Sequence, residues 1–375
     1  MGLNVQPLIP VTLLTGFLGS GKTTVLNQLM QQPEMAQTLV IINEFGEAAL
    51  DHQLVTSSQE NLTQVMGSGC VCCTIRGDLV RALREVHTQF SGHNDRKFDR
   101  VIIETTGLAD PAPIIHTLMT HPYIYSRYRI DGIVATIDLA LGETTLNRFD
   151  EAVKQAAVAD SLLLTKADLT DDDSRDRLIS RLDQINPAAE RYTVVDGQVN
   201  AEFVLDLGLF SVSGKAPDVE KWLNELAYQD SQIAQKHSHS NNHDHSHAHH
   251  HDHKSAAESR HDDQIRSFCF VVDDPISGDL LEAGFELLMA MLGERVLRVK
   301  AILNLVEREE PLVLHAVQHI MHPLTRLPDW PSNDRRSRFV FITKNIEKET
   351  VERIFRAFRH PSQAVSHQES TEKEQ

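Results

Sequence analysis

The sequence predicts an α/β fold: a P-loop NTPase with a mostly parallel sheet, joined to a smaller C-terminal α+β domain. Short apolar runs alternate with helix-like segments from residue 11 to about 215, and a glycine-rich loop follows the first run directly. The alternation then stops at a polar, histidine-rich stretch, beyond which a different pattern begins.

Residues 11–14, rich in branched side chains, read as a buried strand, and Gly16-x-x-x-x-Gly21-Lys22-Thr23 follows it. Gly16, Gly19 and Gly21 let main-chain N–H groups close around an anion, and from Gly21 onward a helix begins whose N-terminus favours negative charge. Lys22 should reach the β- and γ-phosphates, and the Thr23 hydroxyl should ligate Mg²⁺. Further strands are expected at 38–42, 62–66, 100–104, 132–138, 161–165 and 191–195, with helices between them. Two of those helices, 76–90 and 171–185, place Leu79, Leu83 and Val86, and Leu178 and Leu182, at helical spacing. Past the polar stretch the expected order is a strand over 267–274, a helix over 278–292, strands at 296–305, 312–320 and 337–343, and a helix at 346–358. The chain divides into a nucleotide domain at 1–215, a histidine-rich linker at 216–265, an α+β domain at 266–362 and a tail at 363–375.

A hydrophobic content of 41% over 375 residues suits a soluble protein with two cores. The net charge of −17 speaks against a nucleic-acid or anionic-membrane surface. No apolar run approaches the roughly 18 residues of a membrane span, and no secretory or lipidation signal opens the sequence, so a cytoplasmic protein is expected. Three of the 4 cysteines fall within residues 70–73, too close to staple distant loops. Cys269 reads as a small buried hydrophobe.

The strand at 100–104 ends in Glu104, with Gly107 three positions on. An acid there can hold Mg²⁺ through water or position the attacking water, and Gly107 can offer its N–H to a γ-phosphate. A plain surface carboxylate is the alternative. In TKAD, residues 165–168, the Asp168 carboxylate can accept from guanine N1–H and the 2-amino group, while the Lys166 stem covers the purine face; this favours GTP over ATP. Thr165 stands where the usual motif has Asn, and the alternative role for Asp168 is a helix cap. NEFGE, residues 43–47, is an acidic loop placed where a switch segment would sense a γ-phosphate.

Cys70, Cys72 and Cys73 are strong ligands for Zn²⁺ and similar cations. An extended chain puts Cys70 and Cys72 on one side and Cys73 on the other, so two or three thiolates completed by Glu47 or a histidine would form an open site, suited to a metal that is handed on. Buried or redox-silent thiols are the alternative. Residues 237–253 hold nine of the 20 histidines: His237, His239, His243, His245, His247, His249, His250, His251 and His253. Their imidazoles can bind Zn²⁺, Ni²⁺, Co²⁺ or Cu²⁺ exchangeably, and the stretch can equally serve as a spacer.

GFLGSGKTT, NEFGE, GCVCC, ETTGLADP and TKAD in this order, followed by the histidine tract and the α+β segment, resemble the CobW family of metallochaperone GTPases, and within it the YjiA-type members. The resemblance spans nearly the whole chain. It implies low intrinsic GTP hydrolysis and divalent-metal binding, often zinc. It assigns Gly16, Gly19, Ser20, Gly21, Lys22, Thr23 and Thr24 to the phosphate loop and Glu104 and Gly107 to the Mg²⁺ and γ-phosphate region. It gives Lys166 and Asp168 to guanine, and Glu47, Cys70, Cys72, Cys73 and His121 to the metal. Ile42 departs from relatives that can carry a second liganding Glu there, so an identical metal sphere does not follow.

The expected function is a GTPase that loads a divalent metal, foremost Zn²⁺ with Co²⁺ and Ni²⁺ as further candidates, and couples its delivery to a client metalloprotein to the GTP/GDP cycle. Lys22, Thr23 and Glu104 carry the hydrolysis. No arginine finger is evident, so slow turnover awaiting a partner or a homodimer contact is expected. The alternatives are a metal-storage protein with structural nucleotide and, less favoured, a small-molecule kinase.

Overall fold

The computed structural model describes residues 7–43, 62–66, 74–90, 98–207, 223–224, 227–228, 265–321 and 323–359. Its first part runs β1 (Ile9–Gly16), α1 (Lys22–Leu29), β2 (Thr38–Asn43), β3 (Leu62–Met66), α2 (Thr74–Phe90), β4 (Arg100–Thr105), α3 (Ala112–Thr120), α4 (Pro122–Tyr125), β5 (Tyr128–Asp138), α5 (Gly142–Arg148), α6 (Asp150–Val158), β6 (Ser161–Thr165), α7 (Asp172–Ile185) and β7 (Glu190–Thr193). The second part runs β8 (Ile265–Val272), α8 (Gly278–Leu292), β9 (Val296–Leu303), β10 (Leu312–Val317), β11 (Ile320–Met321), β12 (Thr325–Arg326), β13 (Ser337–Lys344) and α9 (Lys348–Arg359).

The seven strands of the first sheet lie in the order β3-β2-β4-β1-β5-β6-β7 and pair in parallel throughout. Every residue of β1 is buried, as a central strand covered on both faces requires. Alternation along it feeds two cores: Val11 and Leu13 pack with Leu79, Leu83 and Ile115 from α2 and α3, and Leu14 packs with Val25, Leu26 and Leu29 from α1. The helix α7 is capped by Asp171, which accepts from the Ser174 N–H at 2.8 Å. Asp168 lies instead in an exposed 3₁₀ turn, Ala167–Leu169, which removes the capping alternative for it.

The second sheet is antiparallel, in the order β11-β10-β9-β13-β8 with β12 on β10. Its residues also alternate. Phe268, Phe270, Phe339 and Phe341 face α8 and α9, whereas Cys269, Ile302, Val340 and Ile342 share a core with Leu178 and Leu182 of α7 and Ala156 of α6. The two domains thus bury one common apolar layer. Beside it Asp160, between α6 and β6, pairs with Arg298 and, at 3.2 Å, with Lys300, both from β9. Burial pushes the Asp160 carboxyl up, but the two cations, with a hydrogen bond from the Ile133 N–H, more than offset this and hold it below the usual carboxylate value. Burial and then the Arg298 charge bring Lys300 down to about 8.

Two expected strands are corrected. Residues 312–320 do not form one strand: β10 ends at Val317 and turns through Gln318 and His319 into β11, with Val317 opposite Ile320. Gln318 takes the left-handed conformation (φ 51) usually given to Gly or Asn, so no turn residue marks the reversal in the sequence. The strand expected at 191–195 ends at Thr193, with Val195 instead bridging to Gln198.

Candidate functional site

The phosphate loop leaves the carboxyl end of β1 between β4 and β5, where open parallel sheets hold ligands. A Cβ on Gly16 (φ +142) would stand 2.2 Å from Thr136 Oγ1 and 2.6 Å from the Thr136 carbonyl oxygen, so only glycine lets the chain turn against β5. Ser20 is buried, and its hydroxyl pairs with that of Thr136 at 2.6 Å. Gly21, left-handed at φ 92, opens α1, and its carbonyl accepts from the Val25 N–H at 3.0 Å. Lys22 folds back over the loop, donating from Nζ to the carbonyls of Gly16 at 2.8 Å and Phe17 at 3.1 Å. These are the contacts an arriving phosphate can replace. Thr24 is exposed on the first turn, with Gly197 packed beside it.

Thr23 Oγ1 donates to Glu104 Oε1 at 2.9 Å. Glu104 is buried beside β1, in register with Leu14. Gly107 lies against the loop itself: a Cβ there would stand 2.6 Å from Leu18 N. The structure therefore brings Lys22, Thr23, Glu104 and Gly107 to one strand-end cluster.

At the end of β6, Lys166 adopts a left-handed backbone (φ 58) and donates from Nζ to Asp138 Oδ2 at 2.7 Å. Asp138 Oδ1 in turn accepts the N–H groups of Ala140 and Leu141 at 2.8 and 3.1 Å, which fixes the carboxylate that orients the lysine. Thr165, in the place of the usual Asn, donates to the Ser20 carbonyl at 2.8 Å and ties β6 to the phosphate loop. Sequence reasoning missed the roles of Asp138, Thr136 and Thr165. Asp138 carried a signal, being an acid at the end of a buried strand like Glu104.

Glu47, Cys70, Cys72, Cys73 and the nine histidines at 237–253 lie outside the described residues. Ile42 points into the core of α1, with Glu104 as its Cα partner on β4. His121 joins α3 to α4, at the end of α3 remote from Gly107 and, at 1.5 Å per residue, about 13 Å along the helix. Its Nδ1 is buried with no hydrogen-bond partner among the described residues, and no group of three or more metal-ligating side chains occurs among them. Nor is any described helix long and apolar enough to cross a membrane.

Residues 10–193 match the CobW/HypB/UreG nucleotide-binding domain, and residues 265–359 match the cobalamin synthesis protein cobW C-terminal domain. The chain is 30% identical to zinc chaperone YjiA of Escherichia coli (strain K12) over 352 residues, 94% of this chain and 99% of that protein. It is 31% identical over 209 residues to zinc-regulated GTPase metalloprotein activator 1 of Schizosaccharomyces pombe, covering 54% of this chain and 50% of that one. The crystal structure of Zn(II)-bound YjiA GTPase from E. coli superposes with a TM-score of 0.64 at 25% identity, over 94% of this chain and all of that one. With both domain models matched in chain order and one relative aligned almost end to end, the chain belongs to the CobW/HypB/UreG family of nucleotide-binding proteins.

Proposed function

We propose that this protein is a GTP-hydrolysing metallochaperone that binds zinc and couples its delivery to a client metalloprotein to the nucleotide cycle. A strand register carries the reading: β4, β2 and β3 end side by side, with Thr105 opposite Asn43 and Asn43 opposite Met66. The Gly107 loop leaves from Thr105, the segment with Glu47 from Asn43, and the segment with Cys70, Cys72 and Cys73 from Met66. Neighbouring strands lie about 4.8 Å apart, so the three segments leave one sheet edge within about 10 Å of each other. A γ-phosphate that orders the first two would change the ligands offered by the second and third to the metal.

In this reading the N–H groups from Gly19 to Thr24 and the dipole of α1 hold the phosphates, and Lys22 exchanges its two carbonyls for phosphate oxygens. The hydroxyl of Thr23 and the carboxylate of Glu104 are hard oxygen donors 2.9 Å apart, and this pair fits Mg²⁺. When bound, the ion neutralises charge on the β- and γ-phosphates. Glu104 also orients the attacking water, and Gly107 donates to the γ-phosphate. Asp168 accepts from guanine, while the Lys166 stem lies on the purine with its ammonium anchored on Asp138. Zinc is the cargo, held by thiolates with Glu47, while the nine tract histidines and His121 supply further metal-binding imidazoles; Co²⁺ and Ni²⁺ suit the same donors. Turnover stays slow until a client or second copy docks, and the cytoplasm is the proposed compartment. Support comes from two relatives whose names describe a zinc chaperone and a zinc-regulated GTPase metalloprotein activator.

Linkage supplies the test, because metal must shift GTP affinity by the factor through which GTP shifts metal affinity. GTP affinity measured with and without Zn²⁺ should differ in the intact protein and coincide in Cys72→Ala. Equal affinities in the intact protein would remove the coupling.

A further inference from the structure

The loop after β4 is gripped from both domains. The carbonyls of Gly107 and Ala109 accept from Gln155 Nε2 of α6 at 3.2 and 3.0 Å. Asp110 closes the loop. Its Oδ1 accepts the Ala112 N–H at 3.0 Å, and its Oδ2 accepts both Lys154 Nζ of α6 at 2.9 Å and Gln318 Nε2 at 3.0 Å. Gln318 lies 208 residues further along the chain, in the β10–β11 turn of the C-terminal domain.

The turn is built to hold that amide in place. Gln318 is only 5% exposed, so its side chain has left water and needs a partner. Its left-handed backbone is fixed by an N–H bond to the Leu297 carbonyl at 3.1 Å. The flanking Val317 and Ile320 are buried in the same core as Ile114, Ile115 and Leu118 of α3. Lys154 secures the other side: burial draws its pKa down, but the bond to Asp110 and that charge raise it further, so the ammonium persists.

We infer that Gln318 is a positioning residue for GTP hydrolysis: by holding Asp110 it fixes where the Gly107 N–H stands over the transferring phosphate, which lets the C-terminal domain set the turnover rate. The inference rests on the GTPase reading above. Without Gln318, Asp110 keeps Lys154 and Ala112, so the loop shifts rather than melts. GDP lacks the phosphate that Gly107 addresses and is held as before.

The test is kcat and KM for GTP, with GDP affinity, in the full chain. In Gln318→Ala, kcat falls about tenfold, equivalent to about 1.4 kcal/mol of barrier, while KM and GDP affinity stay within about twofold. Gln318→Glu, which sets two carboxylates against each other, falls at least as far. The double variant Asp110→Asn with Gln318→Glu recovers, because an amide at 110 then donates to a carboxylate at 318 beside Lys154. Lys344→Ala, which breaks a different interdomain pair with Asp150 at 2.8 Å, leaves kcat unchanged. A Gln318→Ala kcat within about twofold of wild type overturns the inference, and so does a parallel loss of GDP affinity or a double variant no better than Gln318→Glu. Should Gln318→Ala not fold, the last comparison decides. A wild-type chain that fails to hydrolyse GTP overturns the GTPase reading and the inference together; hydrolysis indifferent to Gln318 overturns the inference alone.

Discussion

Replacing Gly107 with alanine adds one methyl group where the loop after β4 meets Leu18 of the phosphate loop. That carbon would stand 2.6 Å from Leu18 N, 2.7 Å from Leu18 Cα and 2.8 Å from Leu18 Cδ2. The side chain could rotate away, but two of the three atoms are main chain and cannot. Comfortable separations between heavy atoms begin near 3.5 Å, so one loop must retreat by about 0.9 Å. Gly107 does not occupy the left-handed region, so alanine meets no backbone strain there and the folded state is perturbed by the steric contact. A misplacement of about 1 Å at a reacting centre costs on the order of a hundredfold in rate, and overpacking of this kind costs about 1–3 kcal/mol in stability. Single-turnover GTP hydrolysis should therefore fall about a hundredfold, with thermal unfolding still cooperative. GDP affinity assigns the movement: it is kept if the Gly107 loop yields and lost if the phosphate loop does. Hydrolysis by Gly107→Ala within about threefold of wild type would refute the claim that contact with Leu18 sets the geometry of the γ-phosphate site.

Three further outcomes follow from the same contacts. Asp168→Asn removes the two charge-assisted bonds to guanine proposed above, each worth about 1.5–3 kcal/mol, so GTP affinity should fall by about a hundredfold or more, while xanthosine triphosphate, with an acceptor in place of the amino group, gains; nucleotide competition measures both. Thr165→Val deletes the 2.8 Å bond to the Ser20 carbonyl and should cost about 1 kcal/mol, read as a lower melting temperature and faster GDP release. Asp160→Asn leaves Arg298 and Lys300 buried side by side without their counter-charge, which should cost about 3–5 kcal/mol in denaturant unfolding at pH 7. Because the folded Asp160 carboxyl sits below its ordinary 3.8, its contribution is complete above that pH and is lost as pH falls through the depressed value, so wild type and variant should converge only below about pH 4.

The placement of the proposed nucleotide motifs at strand ends was legible in the sequence because each of them is local. A glycine loop behind a strand, an acid at a strand end and TKAD behind another strand each state their geometry within about ten residues, and parallel pairing lines up all three ends. Contacts between distant segments were not legible. Nothing near Asp110 announces Gln318, and the mostly apolar run of 312–320 passes through the reversal at Gln318 without a glycine or asparagine to mark it. Thr165 was visible only as a departure from the usual Asn, since a hydroxyl reaching the Ser20 carbonyl requires knowing that β6 ends beside the phosphate loop. The metal-binding expectations for Glu47, Cys70, Cys72 and Cys73 concern residues outside those described and remain part of the proposal.

The layer shared by α6, α7 and the second sheet makes the covalent join between the halves expendable. Two polypeptides, one ending after residue 228 and one starting at residue 265, should find each other and remain together through that layer and the Asp160 cluster. The two halves are therefore held in register by contacts that the chain between residues 228 and 265 does not supply.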